Sequence, residues 1–410
     1  MARPTRHSRI ASREELLRRL AAGEGLAGAV FRGVDLSQVP DLEQHPLHEA
    51  IFLGCTFRDP EQEHRLVSRG ATVFPTLSGL PYEPYRRGLY VVPELLEGYE
   101  AGGYVGTRDF RIYAHYDHER RRPGGVGLRE SLAQRLHDHA IDDALGDFLR
   151  AHGGAGPVGI MGGHGVRRSD PSYARVARLT WLLAREGRCV ISGGGPGIME
   201  AANLGAWLGN DPRPAALDEA LELLRPADKF DGGEPEGTPA YLAAIERYFA
   251  CARQVHAALG GVAPVPNLAM PTWFYGHEPT NLFATHVAKY FSNSLREDGL
   301  LAIATGGVVY APGSAGTLQE IFLDLAQNHY ASLGSRSPMV FLGRAHYGEL
   351  FQLLTRFARQ RARPGHEYED LLALVDEPEE ALEFLRGRGM RPVPAPRPLY
   401  ELVPPPGDPA

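Results

Sequence analysis

Two glycine-rich turns constrain this chain more than any other feature, because each lies where a short apolar run gives way to a helix-period pattern. Cys189-Val190-Ile191 opens into Ser192-Gly193-Gly194-Gly195-Pro196-Gly197 ahead of a helical stretch at 198–208. Val308-Val309-Tyr310 opens into Pro312-Gly313-Ser314-Ala315-Gly316-Thr317 ahead of another at 318–327. A third junction, Val158-Gly159-Ile160-Met161 before Gly162-Gly163-His164-Gly165, leads to a helix that Asp170 caps and Pro171 begins. Strands alternating with helices imply parallel pairing, since a parallel neighbour is reached only through a crossover. The expected fold class is α/β: an open parallel sheet flanked by helices over 151–395, with an additional α+β region over 1–150.

Other patterns set the expected boundaries. Leu128, Leu132, Leu136, Ala140, Ile141, Leu145 and Phe148 keep helical spacing, and the Gly/Pro stretch 152–157 ends that helix and marks the domain boundary. Residues 210–262 read as a helical insertion, and the sheet pattern resumes at 267–270 and 339–342. A Pro-rich tail over 396–410 is expected to be extended or disordered. Two segments, 30–36 and 51–57, resemble each other, each a strand-like run broken by glycine. Two copies fall short of a solenoid and predict a small sheet.

Charge and cysteine usage exclude several functional classes. Lys and Arg total 43 against 50 Asp and Glu, a net charge of -7, which opposes a protein built to coat nucleic acid or an anionic membrane. No apolar run reaches membrane-spanning length, and the three cysteines form no CxxC pair. A cytoplasmic protein with neither membrane nor nucleic-acid partner is expected. A Schiff-base chemistry would have to use Lys229 or Lys289, the only lysines.

Glycine-rich turns at the carboxyl ends of parallel strands expose N–H groups at the positive end of a helix dipole, where an anion can approach the backbone. Gly163, Ser192, Gly193, Gly194, Gly195 and Gly197, with Gly313, Ser314, Ala315, Gly316 and Thr317, are the expected phosphate or nucleotide ligands. Neither turn is a dinucleotide fingerprint, since Glu200 stands where the last glycine would fall, and no GxxxxGK[ST] occurs. Arg167 and Arg168 are further candidates for phosphate. His277, Glu278, Asn281 and His286 form a polar cluster suited to a base pocket. His139 and Asp143 have metal-ligand spacing on one helix, but a solvated pair is the expected reading, and no metal site is expected.

The run from Asp170-Pro171-Ser172-Tyr173 through Ile191-Ser192-Gly193-Gly194-Gly195-Pro196-Gly197-Ile198-Met199-Glu200, followed by Pro312-Gly313-Ser314-Ala315-Gly316-Thr317-Leu318-Gln319-Glu320, resembles the LOG (Lonely Guy) family and its PGGxGTxxE hallmark. The resemblance covers about residues 157–390 and implies a Rossmann-like fold. It also implies hydrolysis of the N-glycosidic bond of a nucleoside 5′-monophosphate to free base and ribose 5-phosphate, with no cofactor and a homodimer or larger homo-oligomer. Two departures stand out: Ser314 replaces the second motif glycine, and Arg296 is displaced by one position from the arginine that the family pairs with its motif glutamate. On this resemblance Glu320 and Arg296 are the catalytic pair, Glu320 stabilising an oxocarbenium-like ribose. A "lysine decarboxylase" label, carried by many such proteins, finds no pyridoxal-phosphate context at Lys229 or Lys289. The competing readings are a non-catalytic nucleotide sensor or carrier on the same fold and, opposed by the charge, a single-strand nucleic-acid binder.

Overall fold

The computed structural model describes residues 9–39, 42–276, 278–360 and 367–393. His277 and the tail 396–410 lie outside the described residues.

Near the N-terminus, β1 (Arg9–Ile10), β2 (Val30–Arg32), β3 (Ile51–Leu53) and β4 (Thr72–Phe74) pair side by side, all parallel. Register partners Arg9, Val30, Ile51 and Thr72 are evenly spaced along the chain, so each coil repeats the last. Phe31 stacks on Phe52 with ring centroids 4.4 Å apart, and Ala29, Ala50 and Ala71 are buried behind them. Gly28, Glu49 and Gly70 turn the same corner with φ of 66°, 59° and 88°. The expected generic α+β sheet is therefore a three-coil parallel solenoid. Sequence reading missed the first and last coils because Arg9–Ile10 and Thr72–Phe74 lack a long apolar run.

The large sheet consists of β5 (Val158–Met161), β6 (Val190–Ser192), β7 (Leu268–Ala269), β8 (His286–Val287), β9 (Gly307–Tyr310), β11 (Met339–Leu342) and β12 (Leu372–Val375). A short antiparallel pair, β10 (Ser335–Arg336) and β13 (Arg391–Pro392), stands apart. The strand order is β12-β11-β9-β5-β6-β7-β8, all parallel, which is a Rossmann-like open sheet. From β5 the chain winds outward one way through β8, then returns to the other side of β5 through β9, so the topological switch point lies between β5 and β9.

Alternate side chains enter two cores, as a sheet covered on both faces requires. Val158, Ile160, Val190, Val309 and Val340 face one core, where Leu217, Tyr241, Ile245 and Phe249 of the 210–262 insertion join them. Met161, Ile191, Val308, Tyr310 and Phe341 face the other. That second core also contains Tyr82, Tyr90, Ile112, Ala133, Ile141, Leu145 and Phe148, all from residues grouped with the N-terminal region on sequence grounds. Tyr90 exchanges backbone hydrogen bonds with Val287 and closes the β8 edge. At the start of the Leu128–His152 helix, Leu128 and Leu132 are exposed, so the apolar stripe begins later than its spacing implied.

This packing moves the separable boundary to the end of the solenoid. Cutting at 151 removes Ala133, Ile141, Leu145 and Phe148 from the core, and losing the burial of three large side chains at about 1.5–3 kcal/mol each approaches the stability of a whole domain. A fragment starting at residue 77 is expected to be soluble with a cooperative thermal transition, and one starting at 151 to aggregate. Sedimentation and circular dichroism of the two fragments check this.

Candidate functional site

A cleft of about 540 Å³ opens at the carboxyl edge of the large sheet, over the β5/β9 switch point. Gly162, Gly163 and His164 follow β5, Gly193 follows β6, Thr272, Tyr275 and Glu278 follow β7, and Ser314–Thr317 follow β9. The helix Asn293–Ile303 adds Arg296 and Glu297, the helix Ala315–Tyr330 adds Gln319 and Glu320, and the insertion adds Phe230, Glu236 and Tyr241.

The two glycine-rich turns differ in what they leave unpaired. In the first, the Gly194 N–H donates to Ser192 Oγ (3.0 Å), the Gly195 N–H to Met199 Sδ (3.4 Å) and the Ile198 N–H to Gly163 O (3.2 Å). The Gly163 N–H donates to Pro312 O (3.0 Å). Of the expected phosphate ligands, Gly163, Gly194 and Gly195 thus spend their donors inside the protein. Gly197 is a glycine of necessity: its φ is 68°, and a Cβ would sit 2.5 Å from Gly163 O. In the second turn the helix Ala315–Tyr330 starts at Ser314 with no side-chain cap and no acid in its first turn. Residues 314–317 line the cleft with the helix dipole behind them, a geometry suited to an anion. A Cβ on Gly313 would overlap the Thr317 hydroxyl, so that turn closes only around glycine.

Glu320 lies one helical turn beyond Thr317, on the cleft-facing side. Its Oε1 is 3.7 Å from Arg296 Nη1. Burial pushes the Glu320 carboxyl up to about 7; Arg296 opposes that rise and Glu297 adds to it. Arg296 Nη2 donates to Asn293 Oδ1 (2.7 Å) and lies 3.3 Å from Glu297 Oε1, while its buried Nε has no hydrogen-bond partner among the described residues. Glu297 also accepts from Gln319 Nε2 (3.0 Å) and Tyr275 OH (3.2 Å). The displaced Arg296 thus reaches the motif glutamate, and the Glu297–Gln319–Tyr275 set holding it escaped the sequence reading. Only the one-residue neighbourhood of Glu297 to Arg296 and of Gln319 to Glu320 hinted at it.

Other candidates fall elsewhere. The Ser192 hydroxyl donates to Asn203 Oδ1 (2.7 Å), and Asn203 Nδ2 donates in turn to Asn267 Oδ1 (2.7 Å). Asn281 Nδ2 donates to Asn203 Oδ1 (2.9 Å), so Ser192 and Asn281 belong to a buried network rather than to a phosphate or base site. His286 sits on β8 against Phe148 and His152, away from Glu278. Glu278 lines the cleft; its neighbour His277 is outside the described residues. Arg168, a phosphate candidate, is buried in a two-point pair with Glu200 (2.6 and 2.9 Å), with its guanidinium 3.4 Å above the Tyr248 ring. Glu200 also accepts from Tyr173 OH (2.8 Å) and Tyr248 OH (2.6 Å), which ties the first glycine turn to the insertion. Arg167 remains exposed, 4.0 Å from Asp228. Asp143 pairs with Arg9 and Arg32 rather than with His139, and no cluster suited to a metal occurs among the described residues. Lys289 is buried against Asp109 (2.8 Å), and Lys229 pairs with Asp231 (3.0 Å).

No family model matches the chain, and no curated protein matches it. Similar solved structures include the molybdenum cofactor binding protein of the phototrophic bacterium Rippkaea orientalis, at 13% identity and TM-score 0.33 over 57% of this chain and 96% of that one. The Moco carrier protein of Chlamydomonas reinhardtii is similar at 14% identity and TM-score 0.35, over 57% of this chain and 96% of that one. The structural-genomics target TM1055 is similar at 17% identity and TM-score 0.32, over 57% of this chain and 99% of that one. No helix among the described residues is long and apolar enough to cross a membrane.

Arg168→Ala would strand the buried Glu200 carboxylate, a change that costs about 3–5 kcal/mol. The expected outcome is a drop in Tm of several degrees. Restoring shape without charge, as Arg168→Met with Glu200→Gln, recovers most of it, because no unpaired charge is left and the glutamine oxygen still accepts from Tyr173 and Tyr248. Differential scanning calorimetry of the three variants measures this.

Proposed function

We propose that this chain hydrolyses the N-glycosidic bond of a nucleoside 5′-monophosphate, giving free base and ribose 5-phosphate, as its LOG-like motifs imply. The observation that carries the reading is the rigid link between the uncapped helix start at Ser314–Thr317 and Glu320, one turn along the same helix and 3.7 Å from Arg296. A phosphate seated on those amides leaves the ribose beside the carboxylate. As the bond to the base lengthens, positive charge builds on the ribose, and ionised Glu320, itself largely buried, supplies the counter-charge. The same carboxylate accepts a proton from the attacking water, and a group titrating near 7 is well matched to that task. Arg296 favours the ionised carboxylate.

One observation favours the carrier or sensor reading: Arg296 lies closer to Glu297 (3.3 Å) than to Glu320 (3.7 Å). A cleft with its arginine committed in that way would bind a nucleotide without cutting it. Incubating the protein with a panel of nucleoside monophosphates and following free base separates the two readings.

Two outcomes are expected of the enzyme. Nucleosides lacking the 5′-phosphate should be poor substrates, because the anion seat contributes only when a phosphate fills it; the ratio of kcat/KM for AMP and adenosine tests this. Glu320→Gln should keep nucleotide affinity and lower kcat by about 100-fold or more. Its stability should change in the opposite direction. The folded carboxyl titrates near 7 and the unfolded one near 4.5, so the folded state holds the proton more tightly and loses stability as pH rises from 4.5 to 7. The glutamine variant escapes that loss, and its Tm should exceed the parent's by a few degrees at pH 8 and match it at pH 4. Wild-type kcat/KM should rise with pH through about 7 as Glu320 ionises.

A further inference from the structure

We infer that Glu278 is the general acid of the reaction: its carboxylic proton passes to a ring nitrogen of the departing base while Glu320 receives a proton from the attacking water. The assignment rests on the nucleosidase reading above and adds the group that makes the base a viable leaving group.

The geometry comes from the order of loops along the sheet edge. The anion seat follows β9 and Glu278 follows β7, with β5 and β6 between them. The Glu278 carboxyl lies over the turn that follows β6, two strand spacings of about 4.8 Å from β9, or roughly 10 Å along the sheet edge. Arg296 lies midway: its Nη1 is 3.7 Å from Glu320 and also 3.7 Å from the position of a Cβ on Gly193. Glu278 stands over the same first turn, its Oε2 3.2 Å from the position of a Cβ on Gly195, so any side chain there would collide with the carboxyl. Tyr275, Phe230 and Tyr241 line the cleft as flat apolar surface for a base.

Glu297 is held by Arg296, Gln319 and Tyr275. Two cleft carboxyls, Glu236 and Glu278, make no hydrogen bond or ion pair among the described residues; Glu236 is exposed, whereas Glu278 is half-buried. Its surroundings favour the protonated form. Burial raises the carboxyl above its ordinary value, Asp109 adds to the rise, and Arg296, Lys289 and His164 oppose it. Lys289 is already neutralised by Asp109 at 2.8 Å.

The C1′–N bond breaks with its electron pair going to the base, whose ring nitrogen takes the Glu278 proton. The water oxygen bonds to C1′, and a water proton goes to Glu320. Exchange with solvent afterwards reprotonates Glu278 and clears Glu320. The arrangement is two carboxyls with divided roles, one protonated on the leaving-group side and one ionised on the ribose side.

Leaving-group chemistry tests it. A general acid matters for a base that cannot depart as an anion and not for p-nitrophenolate, which leaves unassisted. Full-length wild-type protein and Glu278→Gln are compared on the nucleoside monophosphate that wild type cleaves fastest and on p-nitrophenyl β-ribofuranoside 5′-phosphate. Glu278→Gln should lower kcat for the nucleotide by about 100-fold or more and leave the nitrophenyl substrate within about threefold of wild type. Wild type alone supplies a second measurement, independent of how the variant folds: kcat/KM for the nucleotide has a falling limb on the high-pH side where Glu278 ionises, and the nitrophenyl substrate lacks that limb. Equal loss on both substrates in a variant that keeps its Tm, or the same falling limb on both in wild type, overturns the Glu278 assignment and leaves the nucleosidase reading standing. A wild type that cleaves no monophosphate overturns that reading, and the Glu278 role with it.

Discussion

A parallel sheet has no face to spare for water, and the rest of this molecule follows from that constraint. Val158 and Ile160 point one way, Met161 the other, and the same alternation runs through β6, β9 and β11. Both faces must be covered. The helices Pro171–Arg185, Ile198–Trp207 and Pro378–Arg386 cover one with the insertion, and residues 82–148 together with the other late helices cover the other. With both faces closed, the carboxyl edge is where functional groups gather, and the reversal of winding between β5 and β9 opens the cleft there.

The cleft is electrostatically unfavourable without a ligand. Glu236, Glu278, Glu297 and Glu320 line it, against Arg296 and His164. Burial holds Glu320 near 7 and raises Glu278, so part of the folding free energy is spent keeping two carboxyls in poor solvent. Such groups persist where the surroundings over-determine them. Arg296 is fixed by Asn293 and Glu297, Glu297 by Gln319 and Tyr275, and the first glycine turn by the Arg168–Glu200 pair that Tyr173 and Tyr248 complete. The insertion is thus structural as well as a wall of the site: Tyr248 anchors it, and Phe230 and Tyr241 face the cleft.

Much of the large sheet was legible because its signals are local. Met339–Leu342 has the bounds its pattern implied, and the helix Ala216–Leu224 falls within the expected helical insertion. The two-residue β8, by contrast, carries no pattern of its own and exists because Tyr90 and β7 pair with it from either side. The solenoid was half visible. Its interior ladder of Phe31 and Phe52 showed, while the outer coils needed three-dimensional pairing to be recognised.

The sequence by itself determined the α/β class, the position of both glycine turns and the spacing that puts Glu320 one turn beyond Thr317, since helix period and glycine stereochemistry act over a few residues. Only the tertiary structure decided which turn keeps its amides free, whether Arg296 reaches Glu320, and that Arg168, Ser192 and Asn281 are committed elsewhere. A polar side chain's role depends on the partners that burial places beside it, and those come from Glu200, Asn203 and Met199, far along the chain or around a turn that only packing defines.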